Sequence, residues 1–333
     1  MAPLRIGVLG AARIAPNAII RPANAGSRAV IAAVAARDRI RADMFAAKHG
    51  IPKVHDTYEA LLDDVTIDAI YNPLPNGLHG HWTIAAIQAG KHVLCEKPFT
   101  ANADEARAVA DVAAGSDRIV MEAFHWRYHP LATRVLELLA DGTIGEIRSA
   151  RASVSFPLAS KSDIRWQLDL AGGALMDAGC YSIHMLRHFV GGEPEVLSAS
   201  AWERMPGVDR LAEARLRFPG GVDGTVRASM WSRYLLSVTV HIDGTAGRIR
   251  IMNPLAPQYL SWLSVKTPGR TFRERPPRST TYLHQLAAFC DAIETGTPPI
   301  TNTSDAIANM AVIDQIYRAA GMQVREPTAV PST

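Results

Sequence analysis

Val93-Leu94-Cys95-Glu96-Lys97-Pro98 is the stretch from which the rest of the chain can be read. Three apolar residues run directly into a carboxylate, a lysine and a proline. An unbroken apolar run is the pattern of a strand buried on both faces of a parallel sheet. In open α/β sheets, ligands bind beyond the carboxyl ends of the strands. The run therefore delivers Glu96 and Lys97 to the rim of such a sheet. Pro98 fixes the backbone that follows, because its ring locks φ and removes a donor. A lysine on a rigid turn at a strand end is a candidate acid/base group. A solvated surface lysine is the ordinary alternative, and the neighbouring segments must decide between them.

Upstream, Leu4 to Leu9 reads as a first strand, followed by Gly10-Ala11-Ala12-Arg13-Ile14-Ala15 and a helical pattern. A dinucleotide-binding fold places its phosphate turn here, where backbone approaches the pyrophosphate at a helix N-terminus. Gly10 fits the first glycine position of that turn, while Ala12 and Ala15 stand at the second and third. Taken alone, an ordinary strand-to-helix turn explains it equally well. Val30 to Ala35 is a second apolar run, ending in Ala36-Arg37-Asp38. A carboxylate at this strand end serves the ribose of NAD, whereas an arginine accommodates the 2′-phosphate of NADP. Arg37, a planar partner for phosphate, favours NADP, with NAD as the alternative should Asp38 reach the ribose or Arg37 be a solvent-facing loop residue.

Ala69-Ile70-Tyr71 is another strand, broken by Asn72-Pro73-Leu74-Pro75-Asn76-Gly77, whose prolines cannot continue a central strand. Helices are expected over Met44 to His49, Tyr58 to Leu62, Leu78 to Ala89 and Ala103 to Ala114, and a further strand over Ile119 to Glu122. Strands alternating with helices imply βαβ units and a parallel sheet.

The totals agree with a protein of this kind. A length of 333 residues suggests about two domains. A formal net charge of +3 without a clustered basic stripe argues against a nucleic-acid partner. Three widely spaced cysteines with no CxxC pair argue against a disulfide framework or a zinc site and fit a reducing compartment. The chain enters a strand-like run by Leu4, so no signal peptide is expected. No apolar stretch approaches the ~20 residues that span a bilayer. The expectation is a cytoplasmic protein with no membrane partner.

The segments Gly10-x-Ala12-Arg13-Ile14-Ala15, Pro73-x-Pro75-Asn76-x-x-His79, Glu96-Lys97-Pro98 and Met121-Glu122-Ala123-Phe124 together resemble the Gfo/Idh/MocA oxidoreductases. The resemblance covers nearly the whole chain. The glutamate-lysine-proline triplet is its specific part, and the glycine turn is not. It implies an α/β Rossmann N-terminal domain, residues 1–125. An α+β C-terminal domain with a large open, mostly antiparallel sheet would follow over 126–333, with C-terminal helices able to pack back on the first domain. It also implies a cis Lys97–Pro98 bond. At the cofactor it places Gly10, Ala12, Arg13, Ile14, Pro73, Leu74, Asn76, His79, Glu96 and Lys97, beside the Arg37 already read from the second strand.

Beyond Glu146 the residues themselves turn to strands: Ile147 to Phe156, Val196 to Trp202, Ala212 to Phe218, Gly224 to Trp231, Leu236 to Ile242 and Arg248 to Met252. Alternation and turn signals such as Pro219-Gly220-Gly221 suggest an antiparallel sheet. Thr271 to Arg278, basic and carrying Pro276-Pro277, reads as a solvated loop. Helices follow from Tyr282 and from Ser304 to Ala320, and the tail after Arg325 looks unstructured.

Within this half, Gly172 to His184 leads into a helix expected over Leu175 to Val190. Asp177 and Tyr181 stand four apart, on one helix face. The family places an aspartate and, four residues later, a histidine or tyrosine at the substrate. The tyrosine here matches the glucose-fructose and dihydrodiol branches, although a half-buried core tyrosine is the bland reading. By the same resemblance Arg165-Trp166 and Tyr282 reach toward the cofactor. For Trp166 the alternative is a structural residue under a loop. His184 and His188 are also four apart, but no HExxH surrounds them and the family needs no metal.

The resemblance implies hydride transfer between a nicotinamide and a carbinol or carbonyl carbon of a sugar, polyol or cyclic diol. Tyr181 would be the acid/base at the reacting hydroxyl, with Lys97 lowering its pKa through charge. Asp177 would bind a neighbouring hydroxyl or hold the lysine. Whether Lys97 or Tyr181 carries the proton stays open. Two alternatives remain at this point: a dinucleotide-binding sensor without turnover, and a redox-neutral NAD-dependent glycosidase. The open sheet predicts a homodimer or homotetramer, because uncovered sheet surface is a liability.

Overall fold

The structure, a computed structural model, describes residues 2–330. It divides into two compact units. One comprises the chain up to Phe124, Tyr282–Ile307 and the segment from Pro327, and the other comprises His125–Thr281 and Ala308–Glu326.

In the first unit, β1 (Leu4–Leu9), β2 (Ala29–Ala35), β3 (Lys53–His55), β4 (Ala69–Asn72), β5 (His92–Cys95) and β6 (Val120–Glu122) form one sheet in the order β3-β2-β1-β4-β5-β6. Every pairing is parallel. Helices α1 (Arg21–Ala25), α2 (Arg39–His49), α3 (Tyr58–Leu62), α4 (His79–Gln88) and α5 (Ala103–Ala114) alternate with the strands. The apolar runs are strands for the reason their composition suggests: Ile6, Val8, Ile70, Tyr71, Val93 and Leu94 are each at most 1% exposed. Strand order reverses between β1 and β4, which opens the crevice where such sheets take ligands. Two elements were not anticipated. Strand β3 is three residues long, too short to carry a pattern. A π-helical turn, Pro16–Ile20, precedes α1.

Helices α4 and α5 pack where Gly80 removes a side chain, since a Cβ there would lie 2.3 Å from the Glu105 carboxylate. Glu105 accepts the Ala101 N–H at 2.8 Å, which ties the turn after Lys97 to α5. Burial pushes its carboxyl pKa up to about 7.

The second unit begins with α6 (Pro130–Ala140) and β7 (Ile147–Ser155), then α7 (Cys180–Val190). Its sheet continues with β8 (Glu195–Met205), β9 (Val208–Arg217), β10 (Asp223–Ser229), β11 (Ser237–Gly244), β12 (Arg248–Met252), β13 (Trp262–Lys266) and β14 (Thr271–Glu274). The strand order is β14-β13-β12-β11-β7-β10-β9-β8, antiparallel throughout except for β7 with β10. Ala152, Val154, Ala214, Val226, Val240 and Ile251 face inward and are at most 3% exposed. Their neighbours along the strands, among them Arg151, Glu213, Arg227 and His241, alternate outward onto a polar face. The solvated loop expected over Thr271 to Arg278 is corrected in its first half. Thr271–Glu274 pairs with β13 as the edge strand, and Glu274 accepts two hydrogen bonds from Arg134 at 3.0 Å.

Helices α8 (Thr281–Thr295) and α9 (Thr303–Ala319) complete the regular structure. The tail has no regular element, yet it is anchored: Arg325 is 1% exposed and the Thr328 N–H donates to Gly77 O at 2.8 Å. Residues 331–333, the end of that expected unstructured tail, lie outside the described residues.

Glu105 sets a pH test. Its folded pKa lies above the value of an exposed glutamate, so the folded state holds the proton more tightly than the unfolded one. The stability it contributes is complete below about pH 4.5 and is lost as pH rises through about 7. The thermal midpoint is expected to fall over that window, and Glu105→Gln is expected to flatten the fall. Parallel melting curves of the two proteins from pH 5 to 8 check this.

Candidate active site

The first unit brings several loops to the carboxyl edge of its sheet. Gly10 follows β1 with φ 82°, a conformation that favours glycine, and a Cβ there would sit 3.2 Å from Leu74. The small residue keeps backbone open to a ligand between those loops. Ala12 is half-buried, and Arg13 and Ile14 project into solvent just before the helical turn at Pro16. Arg37 is exposed at the end of β2, and its backbone N–H bonds the Tyr58 hydroxyl. Asp38 is occupied elsewhere: its carboxylate accepts the Arg41 N–H at 3.1 Å and caps α2. One oxygen of the Asp38 carboxylate is thus engaged by the helix.

The lysine turn is braced from below. Glu96, 7% exposed, accepts the Tyr71 hydroxyl at 2.7 Å, and its second oxygen takes the Lys97 N–H at 3.3 Å. Lys97 is half-buried and its bond to Pro98 is cis. His79 lies buried with its ring nitrogens 2.7 Å from Pro98 O and 2.7 Å from Leu74 O. Its ring thus sits between the Pro73–Leu74 loop and the turn after Lys97, and as a neutral imidazole it donates to one of the two carbonyls. Burial pulls its pKa down to about 4, against the opposing pull of the two carbonyls. Pro73 and Asn76 flank this brace, half-buried.

In the second unit the helix carrying Asp177 and Tyr181 starts as a π-helical turn, Leu175–Gly179, and continues as α7. Extra residues within a helical turn recur at functional sites. Its entry is fixed by Asp209, a fully buried carboxylate. One oxygen accepts the Leu175 N–H at 2.7 Å, and the other accepts the Tyr317 hydroxyl and the Arg325 guanidinium, both at 2.9 Å. Arg325 also donates to Gly172 O at 2.7 Å. Gly173 permits this closeness, since it has φ 138° and a Cβ there would lie 2.2 Å from Asp209.

Asp177 and Tyr181 take different partners. Asp177 is paired with Arg165 at 3.1 Å, and this carboxylate is the main reason the guanidinium pKa is raised. Tyr181, 8% exposed, has its hydroxyl 3.0 Å from His125 Nε2. Trp166 is 3% exposed and stacked under the Arg204 guanidinium at 4.9 Å. Tyr282 is half-buried in the first turn of α8. His184 and His188 pack edge-on against Trp126, each with ring centroids 5.4 Å away. Among the described residues no group of three or more His, Cys, Asp or Glu is placed to hold a metal ion.

His125, Asp209, Arg325 and Arg204 were missed by sequence reasoning. Only His125 carried a usable signal, since it directly follows the Met121-Glu122-Ala123-Phe124 segment.

Comparison with known proteins fits this geometry. A profile described as "Oxidoreductase family, NAD-binding Rossmann fold" matches residues 4–124, and the "GFO/IDH/MocA C-terminal domain" matches residues 132–250. The chain belongs to the Gfo/Idh/MocA oxidoreductase family. The D-xylose 1-dehydrogenase (NADP(+)) 2 of Haloferax volcanii is 38% identical over 321 residues, covering 95% of this chain and 97% of that protein. The trans-1,2-dihydrobenzene-1,2-diol dehydrogenase of Mus musculus is 36% identical over 259 residues, 77% of each chain. A 3-ketoreductase from Actinomadura kijaniata, solved with NADP and TDP-benzene, superposes with TM-score 0.89 at 30% identity, over 95% of this chain and 98% of that one. This Gfo/Idh/MocA chain thus has the expected fold class. Among its described residues no helix is long and apolar enough to cross a membrane.

The Asp209 anchor is testable. Removing one partner of a buried pair costs about 3–5 kcal/mol, because the other charge is left uncompensated, whereas replacing both by apolar residues is often near neutral. Asp209→Asn is expected to lose stability on that scale, and Asp209→Leu combined with Arg325→Met to recover most of it. Urea unfolding of the single and double variants decides the matter.

Proposed function

We propose that this protein is an NADP-dependent oxidoreductase acting on a carbinol or carbonyl carbon of a sugar, polyol or cyclic diol, with aldoses the first class to try. The observation that carries the reading is near full-length similarity to an NADP-dependent xylose dehydrogenase in a chain that keeps Lys97, Asp177 and Tyr181. The dihydrodiol dehydrogenase extends the class to cyclic diols.

The residues at the sheet edge suit a dinucleotide. Gly10 leaves its backbone approachable and Arg37 offers an exposed guanidinium to a 2′-phosphate. Arg13, Ile14, Pro73, Leu74 and Asn76 are the further contacts proposed there. Glu96 and His79 would hold the Lys97 turn in shape. When bound, the nicotinamide supplies the acceptor or donor of the hydride. Tyr181 is the group that takes the hydroxyl proton in oxidation and returns it in reduction. Lys97 contributes positive charge to the oxygen that gains electron density. Asp177, already oriented by Arg165, binds a neighbouring hydroxyl. Arg165 thereby acts on the substrate side, and Tyr282 near the cofactor.

A homodimer or homotetramer in which a second copy covers the open face of the second unit's sheet is the assembly proposed. Three free, buried cysteines suit a cytoplasmic setting, and the partner is a small molecule, with no role for nucleic acid or membrane.

Purified protein with NADP⁺ and a panel of aldoses, polyols and cyclic diols is expected to generate reduced nicotinamide absorbance. Product without net absorbance change would instead indicate the redox-neutral glycosidase, and binding without turnover the sensor. Tyr181→Phe and Lys97→Ala are each expected to lower kcat by about 10²–10⁴-fold, the usual contribution of a positioned acid/base group, with NADPH binding retained. Retention of full activity by Tyr181→Phe would remove that residue from the role. Separately, Arg37→Ala is expected to raise KM for NADP about tenfold, the scale of one charge-assisted hydrogen bond, while leaving NAD unaffected. Steady-state kinetics with both cofactors checks it.

A further inference from the structure

The Tyr181 phenol does not end in inert packing. Its hydroxyl lies 3.0 Å from His125 Nε2, and His125 Nδ1 lies 2.7 Å from Thr281 Oγ1. Thr281 donates its hydroxyl proton to Leu255 O at 3.3 Å. With that proton committed to Leu255 O, the Thr281 oxygen accepts, and the arrangement favours the imidazole tautomer with its proton on Nδ1. The lone pair at Nε2 then faces the phenol proton. This is the arrangement in which a base next to a hydroxyl is itself oriented by a third group. His125 is 4% exposed and Thr281 fully buried, so the contact between them lies inside the protein. The two rings stand edge-on, with centroids 5.7 Å apart and planes at 67°, which leaves the hydrogen bond in the imidazole's reach.

We propose that His125 is a further catalytic residue, the terminal proton acceptor of a Tyr181–His125 relay whose tautomer is set by Thr281. The proposal rests on the oxidoreductase reading above. In oxidation, the carbinol carbon loses a hydride to the nicotinamide and its hydroxyl proton moves to the Tyr181 oxygen. The proton already on that oxygen passes to His125 Nε2. The products of the step are a carbonyl compound, reduced cofactor and an imidazolium at His125, which donates its Nδ1–H to Thr281. After product leaves, the proton returns through the Tyr181 hydroxyl to solvent entering the emptied site, and reduction runs the same transfers backward. Thr281 is a positioning residue, since it touches only the histidine.

The experiment uses the full chain with a sugar that the wild-type protein oxidises. His125→Ala is expected to lose about 10²-fold in kcat, at the low end of what a positioned proton-transfer group contributes, with NADPH binding unchanged. Added imidazole is expected to restore part of the lost rate in His125→Ala and none in Tyr181→Phe. Thr281→Val is expected to lower kcat less, with KM unchanged. A His125→Ala deficit that imidazole leaves unaltered, or a kcat within about twofold of wild type, overturns the relay. If His125→Ala does not fold, His125→Gln decides: a lowered kcat at unchanged KM supports the relay and an unchanged kcat overturns it. Should the wild-type protein oxidise no member of the panel, the functional reading has failed and the relay falls with it.

Discussion

A single buried carboxylate organises the second unit. Asp209 reaches the first turn of the helix that carries Asp177 and Tyr181, the hydroxyl of Tyr317 on α9 and the guanidinium of Arg325 beyond it. Helix N-termini leave N–H groups without intrahelical partners, and an anion there meets both the orphan donor and the helix dipole. Here the anion is wholly enclosed, so its charge is held by Arg325, which has no exposed side-chain surface either. The consequence is positional. Gly172 and Gly173, Leu175 and the C-terminal segment are fastened to one atom group, and the direction in which the helix leaves the turn follows from it.

The first unit braces its own rim with several polar side chains. A histidine ring sits between two loops, a tyrosine hydroxyl holds the glutamate before the lysine, and a second glutamate holds the turn after it. His79, Tyr71 and Glu96 are buried and Glu105 half-buried, each with a hydrogen bond made inside the protein, the condition under which such groups rigidify rather than destabilise. The lysine is thus the accessible member of a braced turn. The backbone that carries its ammonium is thereby held on a rim otherwise built of loops.

The Rossmann half was legible because strands buried on both faces leave apolar runs, and because those runs end in the residues that line the rim. The triplet at Glu96 and the Asp177–Tyr181 spacing stood out for the same reason: each is local. What escaped the sequence is contacts made across long separations. His125 meets partners 56 and 156 residues away, and Asp209 meets partners 34, 108 and 116 residues away. No spacing rule joins such positions. Trp166 was drawn toward the cofactor by a resemblance alone, and nothing in its local sequence signalled that Arg204, from β8, stacks over it. The edge strand at Thr271 was hidden by its basic composition, which suits an exposed edge as well as it suits a loop.

The central claim is that this chain moves a hydride directly between a substrate carbon and a nicotinamide. Its most direct test is isotope transfer. Aldoses deuterated at C1, and polyols deuterated at their carbinol carbons, are incubated with the protein and NADP⁺, and the reduced cofactor is examined by proton NMR. The account predicts reduced cofactor carrying the deuterium at C4 of the nicotinamide. Reduced cofactor without deuterium, oxidised or rearranged sugar without reduced cofactor, or no reaction across the panel would contradict it.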